Sequence, residues 1–134
     1  MNNQPVITKV HIILTVSDIS KSRMFYNLLF NITPIVDESN ICEFQLTENL
    51  ILGLQNEDLK LKNFDPDIYM RFAQNKHTGG EEIYIEHSDA EGIHTKALQL
   101  GCLELSPFKE RNWGHKVGYS INHDGHILAF AEAI

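Results

Sequence analysis

Two residues at equivalent places in this chain have types that could do chemistry together. His11 and Glu82 open two matching segments, HIILTVSDIS over residues 11–20 and EIYIEHSDAE over residues 82–91. An imidazole and a carboxylate facing one cavity are the minimum set for proton transfer. The same two groups are ordinary donors to a divalent metal. They are too few for a catalytic zinc or non-haem iron site, which needs three protein ligands. A third donor would have to share their face, and Glu86, four residues beyond Glu82, is the nearest by sequence. The preferred expectation is plainer: His11 and Glu82 hydrogen-bond each other and the polar atoms of a ligand.

Other residues compete for attention. His115, His123 and His126 cluster around a hairpin and invite a metal reading, but the expectation is a solvated turn with His123 and His126 at its exposed end. His94 is placed off the apolar stripe of its helix and expected to be exposed, and His87 simply ends a strand. Trp113, Tyr84 and Phe108 suit pocket walls, since small organic ligands favour aromatic panels with a few polar groups. Core packing is the competing account of Phe108. No phosphate-binding glycine loop, nucleophile elbow or Cys-His signature is present in the sequence.

The elements that must position these side chains follow from periodicity. Residues 9–17 alternate as a strand, with Val10, Ile12, Leu14 and Val16 on one face and His11, Ile13 and Thr15 on the other. Ser17 or Asp18 caps the next helix, whose stripe is read as Phe25, Leu28, Leu29 and Ile32, with Asn31 as the stop. Three short strands are expected at Thr33–Asp37, Ile41–Leu46 and Leu50–Gln55, separated by turn-prone residues. The connection over 56–80 shows no sustained period. Asp65-Pro66-Asp67 could open a short helical turn carrying Tyr69, Met70 and Phe72. A linker pinned by these aromatics is preferred to a lid over a pocket.

The second half repeats the pattern. A strand at Glu82–His87 leads to a capping box at Ser88-Asp89-Ala90-Glu91. A helix follows with Ala90, Ile93, Ala97 and Leu100 as its stripe, closed by Gly101. Cys102–Leu105 is a strand, Ser106–Asn112 a loop, and the chain finishes on a hairpin whose turn is Asn122, His123, Asp124 and Gly125. Both halves therefore read β-α-β-β-β, and a repeat that keeps strand alternation and helix cap points to duplication of one unit.

Composition sets the outer limits. A chain of 134 residues, 43% hydrophobic, makes one globular domain with a core of ordinary size. A net charge of −7 argues against a nucleic-acid partner, whose footprint is a basic patch. Cys42 and Cys102 are too few for a disulfide framework and are expected as small buried hydrophobes in a reducing cytoplasm. MNNQPVITKV lacks the pattern of a signal peptide, and no run reaches membrane-spanning length. A cytoplasmic protein without membrane partner is expected.

Three stretches carry a family resemblance that spans residues 6–132 apart from the 56–80 connection. VHIILTVSDISKSRMFY at 10–26, the internal repeat, and WGHKVGYSINHDGHILAF at 113–130 together resemble the vicinal-oxygen-chelate superfamily. That group includes glyoxalase, bleomycin-resistance proteins and extradiol dioxygenases. The last stretch is similar to the family's Trp-Gly-x-Arg-Val-x-Tyr-x-x-Asp-Pro-Asp-Gly-Asn-x-x-Glu-Leu, with Lys116 in place of the frequent Arg. The resemblance implies an α+β fold of two tandem βαβββ modules, about 6–55 and 81–134, forming a curved, mostly antiparallel sheet around a cavity with helices outside. It implies a homodimer, in which such a cavity can be shared between chains. It also implies four metal-ligand positions: His11, Glu82, Gly53 and Ala129. Gly53 and Ala129 have no donor atoms, and Gln55 and Ala131 flank them. Hence the expectation is a metal-free binder of a small, largely apolar or aromatic molecule, lined by His11, Glu82, Tyr84, Trp113, Phe108, Gln55, Gly53 and Ala129. The alternative is a lyase, isomerase or dioxygenase that holds Zn, Ni, Mn or Fe through His11, Glu82 and a non-standard third ligand.

Overall fold

A computed structural model describes residues 5–59, 64–73 and 81–134. The chain divides into two compact units, Met1–Arg71 and Phe72–Ile134. In the first, strand β1 (Val10–Val16) is followed by helix α1 (Ile19–Phe30) and strands β2 (Val36–Asp37), β3 (Ile41–Thr47) and β4 (Leu50–Asn56). The sheet order is β1-β4-β3-β2, with β1 and β4 parallel and the other pairs antiparallel. A parallel pair needs a crossover, and α1 with the β2–β3 hairpin supplies it.

Helix α1 starts where Asp18 accepts a hydrogen bond from the Lys21 amide at 3.1 Å, and ends at Asn31 in the left-handed conformation. Its buried stripe is Ser22, Phe25, Tyr26 and Leu29, which keeps Phe25 and Leu29 of the stripe expected from sequence but not Leu28 or Ile32. Leu28 is 47% exposed and Ile32 lies beyond the helix end, because Tyr26 rather than Leu28 turns to the sheet. The Tyr26 ring lies 6.3 Å from that of Phe44, and together with Leu14, Val16, Cys42, Leu52 and Leu54 they form the core beneath the helix. Burying side chains of this size stabilises by about 1.5–3 kcal/mol each. Arg23 on α1 clamps Asp37 on β2, Nη2 to Oδ2 at 2.7 Å, which holds the Asp37 carboxyl below its usual range.

Helix α2 (Pro66–Ala73) bears out the expected helical turn. The Asp65 carboxylate accepts from the amides of Asp67 and Ile68, and Phe64 packs on Tyr69 with ring centroids 5.6 Å apart. Residues 60–63 and 74–80 of the 56–80 connection fall outside the described residues.

The second unit repeats the topology: β5 (Glu82–Glu86), α3 (Ala90–Gln99), β6 (Leu103–Glu110), β7 (His115–Ile121) and β8 (Ile127–Ala133), in sheet order β5-β8-β7-β6. Four local readings need correction. The cap of α3 is Asp89, which accepts from the Gly92 amide at 3.1 Å, so the Ser88–Glu91 box does not form. A β-carbon at Gly92 would run into the Asp89 carboxylate, so glycine permits this close cap. His94 is buried, 3% exposed, on the stripe of Ala90, Ile93 and Ala97, because it follows Ala90 by four residues and lies on the same side of the helix. Strand β6 continues through Ser106–Glu110, where a loop was expected. Register shifts accommodate Pro107 on this edge strand, which needs no N–H there. Finally, His126 is buried rather than exposed: the Asn122 side chain draws the amides of Asp124 and His126 inward at 3.0 Å each. His123 stays exposed, as expected.

Candidate functional site

Each sheet has a helix on one face, so chemistry belongs on the other. In the first unit α1 covers the face of Leu14, Leu52, Leu54, Cys42 and Phe44. Strand alternation and register then put His11, Ile13 and Thr15 on the open face beside Ile51, Gly53 and Gln55 of β4, and Ile41, Glu43 and Gln45 of β3. Of the expected site residues, His11, Gly53 and Gln55 therefore share one surface.

Glu43 also belongs there. Gly53 lies directly between Ile13 and Glu43, and a β-carbon on it would approach Ile13 to 3.0 Å. With no side chain at 53, Glu43 on β3 reaches diagonally across β4 to His11, Oε2 to Nδ1 at 3.5 Å. The Glu43 side chain is 16% exposed, so this carboxylate is largely withdrawn from water. The sequence signal was present in Ile41-Cys42-Glu43-Phe44, where Glu43 alternates with two buried residues, but only the sheet order aims it at His11.

In the second unit α3 lies against β6, β7 and β8. The opposite face carries Glu82, Tyr84 and Glu86 of β5, Ala129 and Ala131 of β8, and His115, Val117 and Tyr119 of β7. Ala129 is fully buried, flanked by Tyr84 on one side and Tyr119 on the other. Burial, with Glu82 and Tyr84 adding, pushes the Tyr119 phenol up, and the Arg111 guanidinium lies 5.1 Å from its ring centroid.

Here Tyr84 and Trp113 come together as expected, Trp113 Nε1 donating to Tyr84 Oη at 3.0 Å. His115, which the sequence grouped with the turn histidines, is at the opposite end of the hairpin and joins them. Its Nδ1 is 2.6 Å from Tyr84 Oη, its Nε2 is 3.4 Å from Glu86 Oε1, and its ring stacks on Tyr84 at 5.8 Å. Phe108 is half-buried on β6, and no hydrogen bond or ring contact ties it to this group.

The four metal-ligand positions implied by the resemblance do not fit a metal. Gly53 and Ala129 offer no donor, and no group of three or more His, Cys, Asp or Glu residues among the described residues could hold an ion. The two donors that do meet in the first unit, His11 and Glu43, are one short of a catalytic zinc set.

Two βαβββ units, each a four-stranded mixed sheet with a helix on one face, define the vicinal-oxygen-chelate fold. Solved structures with this architecture match the chain along its length. A glyoxalase/bleomycin resistance protein/dioxygenase from Nocardioides superposes with a TM-score of 0.72 at 18% identity, covering 100% of this chain and 87% of its own. A glyoxalase-related enzyme from Fulvimarina pelagi gives 0.69 at 19% identity, covering 91% and 85%. A glyoxalase/bleomycin resistance protein/dioxygenase family enzyme from Burkholderia phytofirmans PsJN gives 0.73 at 12% identity, covering 92% and 97%. At such identities the likeness is one of fold. No protein-family model matches the chain, and no curated protein matches it by sequence.

Proposed function

We propose that the protein binds a small organic molecule on the open sheet faces, in the manner of glyoxalase/bleomycin-resistance proteins but without their full metal site. The observation that carries this reading is the pairing of missing donors with retained polar groups. Gly53 and Ala129 cannot ligate, while His11–Glu43 and Tyr84–His115 present hydrogen-bonding groups beside exposed aromatic surface. Such a mixture suits an orienting contact to a largely apolar ligand. In this reading the protein acts as a cytoplasmic homodimer whose partner is the ligand, with neither nucleic acid nor membrane involved. The net charge of −7 supports the first exclusion, and no helix among the described residues is long and apolar enough to cross a membrane.

The His11–Glu43 contact favours a second reading, a divalent-metal lyase, isomerase or dioxygenase in which Glu43 is the non-standard ligand beside His11. Elemental analysis of protein purified without chelator separates the two. The first reading expects Zn, Ni, Mn and Fe far below one per chain. Stoichiometric metal that is lost in His11→Ala and in Glu43→Gln would overturn it.

A further inference from the structure

We propose that a cavity at the C-terminal end of α1 binds a small organic cation that donates hydrogen bonds, an alkylammonium being the simplest. This site is independent of the open-face reading, since it needs no ligand on His11, Tyr84 or Trp113.

Helix α1 stops at Asn31, whose left-handed backbone turns the chain toward β3. The Ile35 amide then donates to Glu43 O at 2.8 Å. Between the helix end and the strand lies an open cavity of about 500 Å³, a size ordinary for small organic ligands. Leu28, Ile32 and Ile35 supply its apolar wall, and Leu28 and Ile35 are 47% and 54% exposed. Gln45 reaches it from β3, past Val36↔Glu43, the last pair with the short β2.

The polar lining is Asn27, Asn31, Thr33 and Gln45, and none of the lining residues is charged. Two of the amides have their orientation fixed by partners that can only accept. Asn27 Nδ2 donates to Ile32 O, and Gln45 Nε2 donates to Glu48 O at 3.2 Å. A carbonyl has no proton to give, so each amide must present its nitrogen there and turn its oxygen away. Asn27 Oδ1 and Gln45 Oε1 are thereby left as acceptors, and neither is taken up by a donor among the described residues.

The helix adds to this bias. Its C-terminus carries the negative end of the helix dipole, and the last turn of α1 holds no basic residue. Arg23, the last cation along α1, is tied to Asp37 at 2.7 Å. The second unit gives the contrast. The last turn of α3 contains Lys96, and the amides of Leu100, Gly101 and Cys102 return to the carbonyls of Lys96, Leu98 and Ala97. At the end of α1 an anion would meet only acceptors and a negative dipole. A neutral apolar molecule would cover the two amide oxygens without donating to them. An ammonium group serves both, with its carbon chain against Leu28, Ile32 and Ile35.

The test is an NMR titration of isotope-labelled full chain with n-butylammonium, tetramethylammonium and butyrate. The first should shift the side-chain amide signals of Asn27 and Gln45 together with the methyl signals of Leu28, Ile32 and Ile35. Tetramethylammonium, a cation without N–H, should bind about tenfold more weakly, the worth of a hydrogen bond to a charged group. Butyrate should leave these signals in place. Gln45→Met keeps the length of an exposed side chain and removes its oxygen, so it should weaken n-butylammonium by about the same factor. No shift with n-butylammonium, equal binding of tetramethylammonium or butyrate, or unchanged affinity in Gln45→Met would each overturn the proposal.

Discussion

Gly118 and His94 are packed so closely that a β-carbon on the glycine would be 2.6 Å from the imidazole ring. The histidine of α3 fills the space a side chain on β7 would occupy, and its Nε2 meets Glu104 Oε2 at 2.8 Å. Gly118→Ala should therefore destabilise the protein by about 1–3 kcal/mol, the usual cost of overpacking. Chemical denaturation measures it. Combining the change with His94→Ala should recover part of the loss, since the two residues share one space. Additive losses would show that the contact is not what limits position 118.

Asp89, not Ser88, should carry the cap of α3. Asp89→Ala is expected to cost about 1 kcal/mol and Ser88→Ala close to nothing. Equal effects would restore the capping box at Ser88 and Glu91. In the first unit Asp18→Ala should behave like Asp89→Ala, because each carboxylate accepts from the amide three residues on.

His126 should make stability depend on pH. Burial lowers its folded-state pKa below the unfolded value of 6.5. Below that value the unfolded chain binds more protons than the folded one, so stability rises with pH through this window and levels off above 6.5. Denaturation series from pH 5 to 8, taken as about the window in which histidine titrates, should show a shallower acid-side slope in His126→Gln than in the parent. An unchanged slope would assign the dependence to other groups.

Neither cysteine should react while the protein is folded. Both are buried, and burial pushes the Cys42 thiol up to about 11 and raises that of Cys102. A disulfide reagent at mildly alkaline pH should label both only after denaturant is added. Rapid labelling of the native protein would contradict the packing of β3 and of the turn before β6.

Much of the fold was legible because it is written in local terms. Alternation along β1, β5 and β8, the two Ser-Asp cap segments, the Asn31 stop and the Asp-Gly turn each depend on neighbours within a few residues. The errors were also local. Two came where a neighbour outweighed the expected pattern: Tyr26 displaced Leu28 from the helix stripe, and Asn122 drew His126 inside. By contrast, His94 follows Ala90 by four residues, and its place on the stripe was already in the spacing.

The candidate site was legible only in part. The sequence by itself determined the repeat, the types of the donors and the absence of any donor at Gly53 and Ala129. Tertiary structure decided their companions. Glu43 meets His11 because β4 comes between β1 and β3 and offers only Gly53 where they cross. His115 meets Tyr84 across 31 residues of chain because β8 pairs with both β5 and β7. Alternation says which side of a strand a residue faces, but strand order and register say what it faces there. Those are set by long-range pairing that no short window of sequence contains.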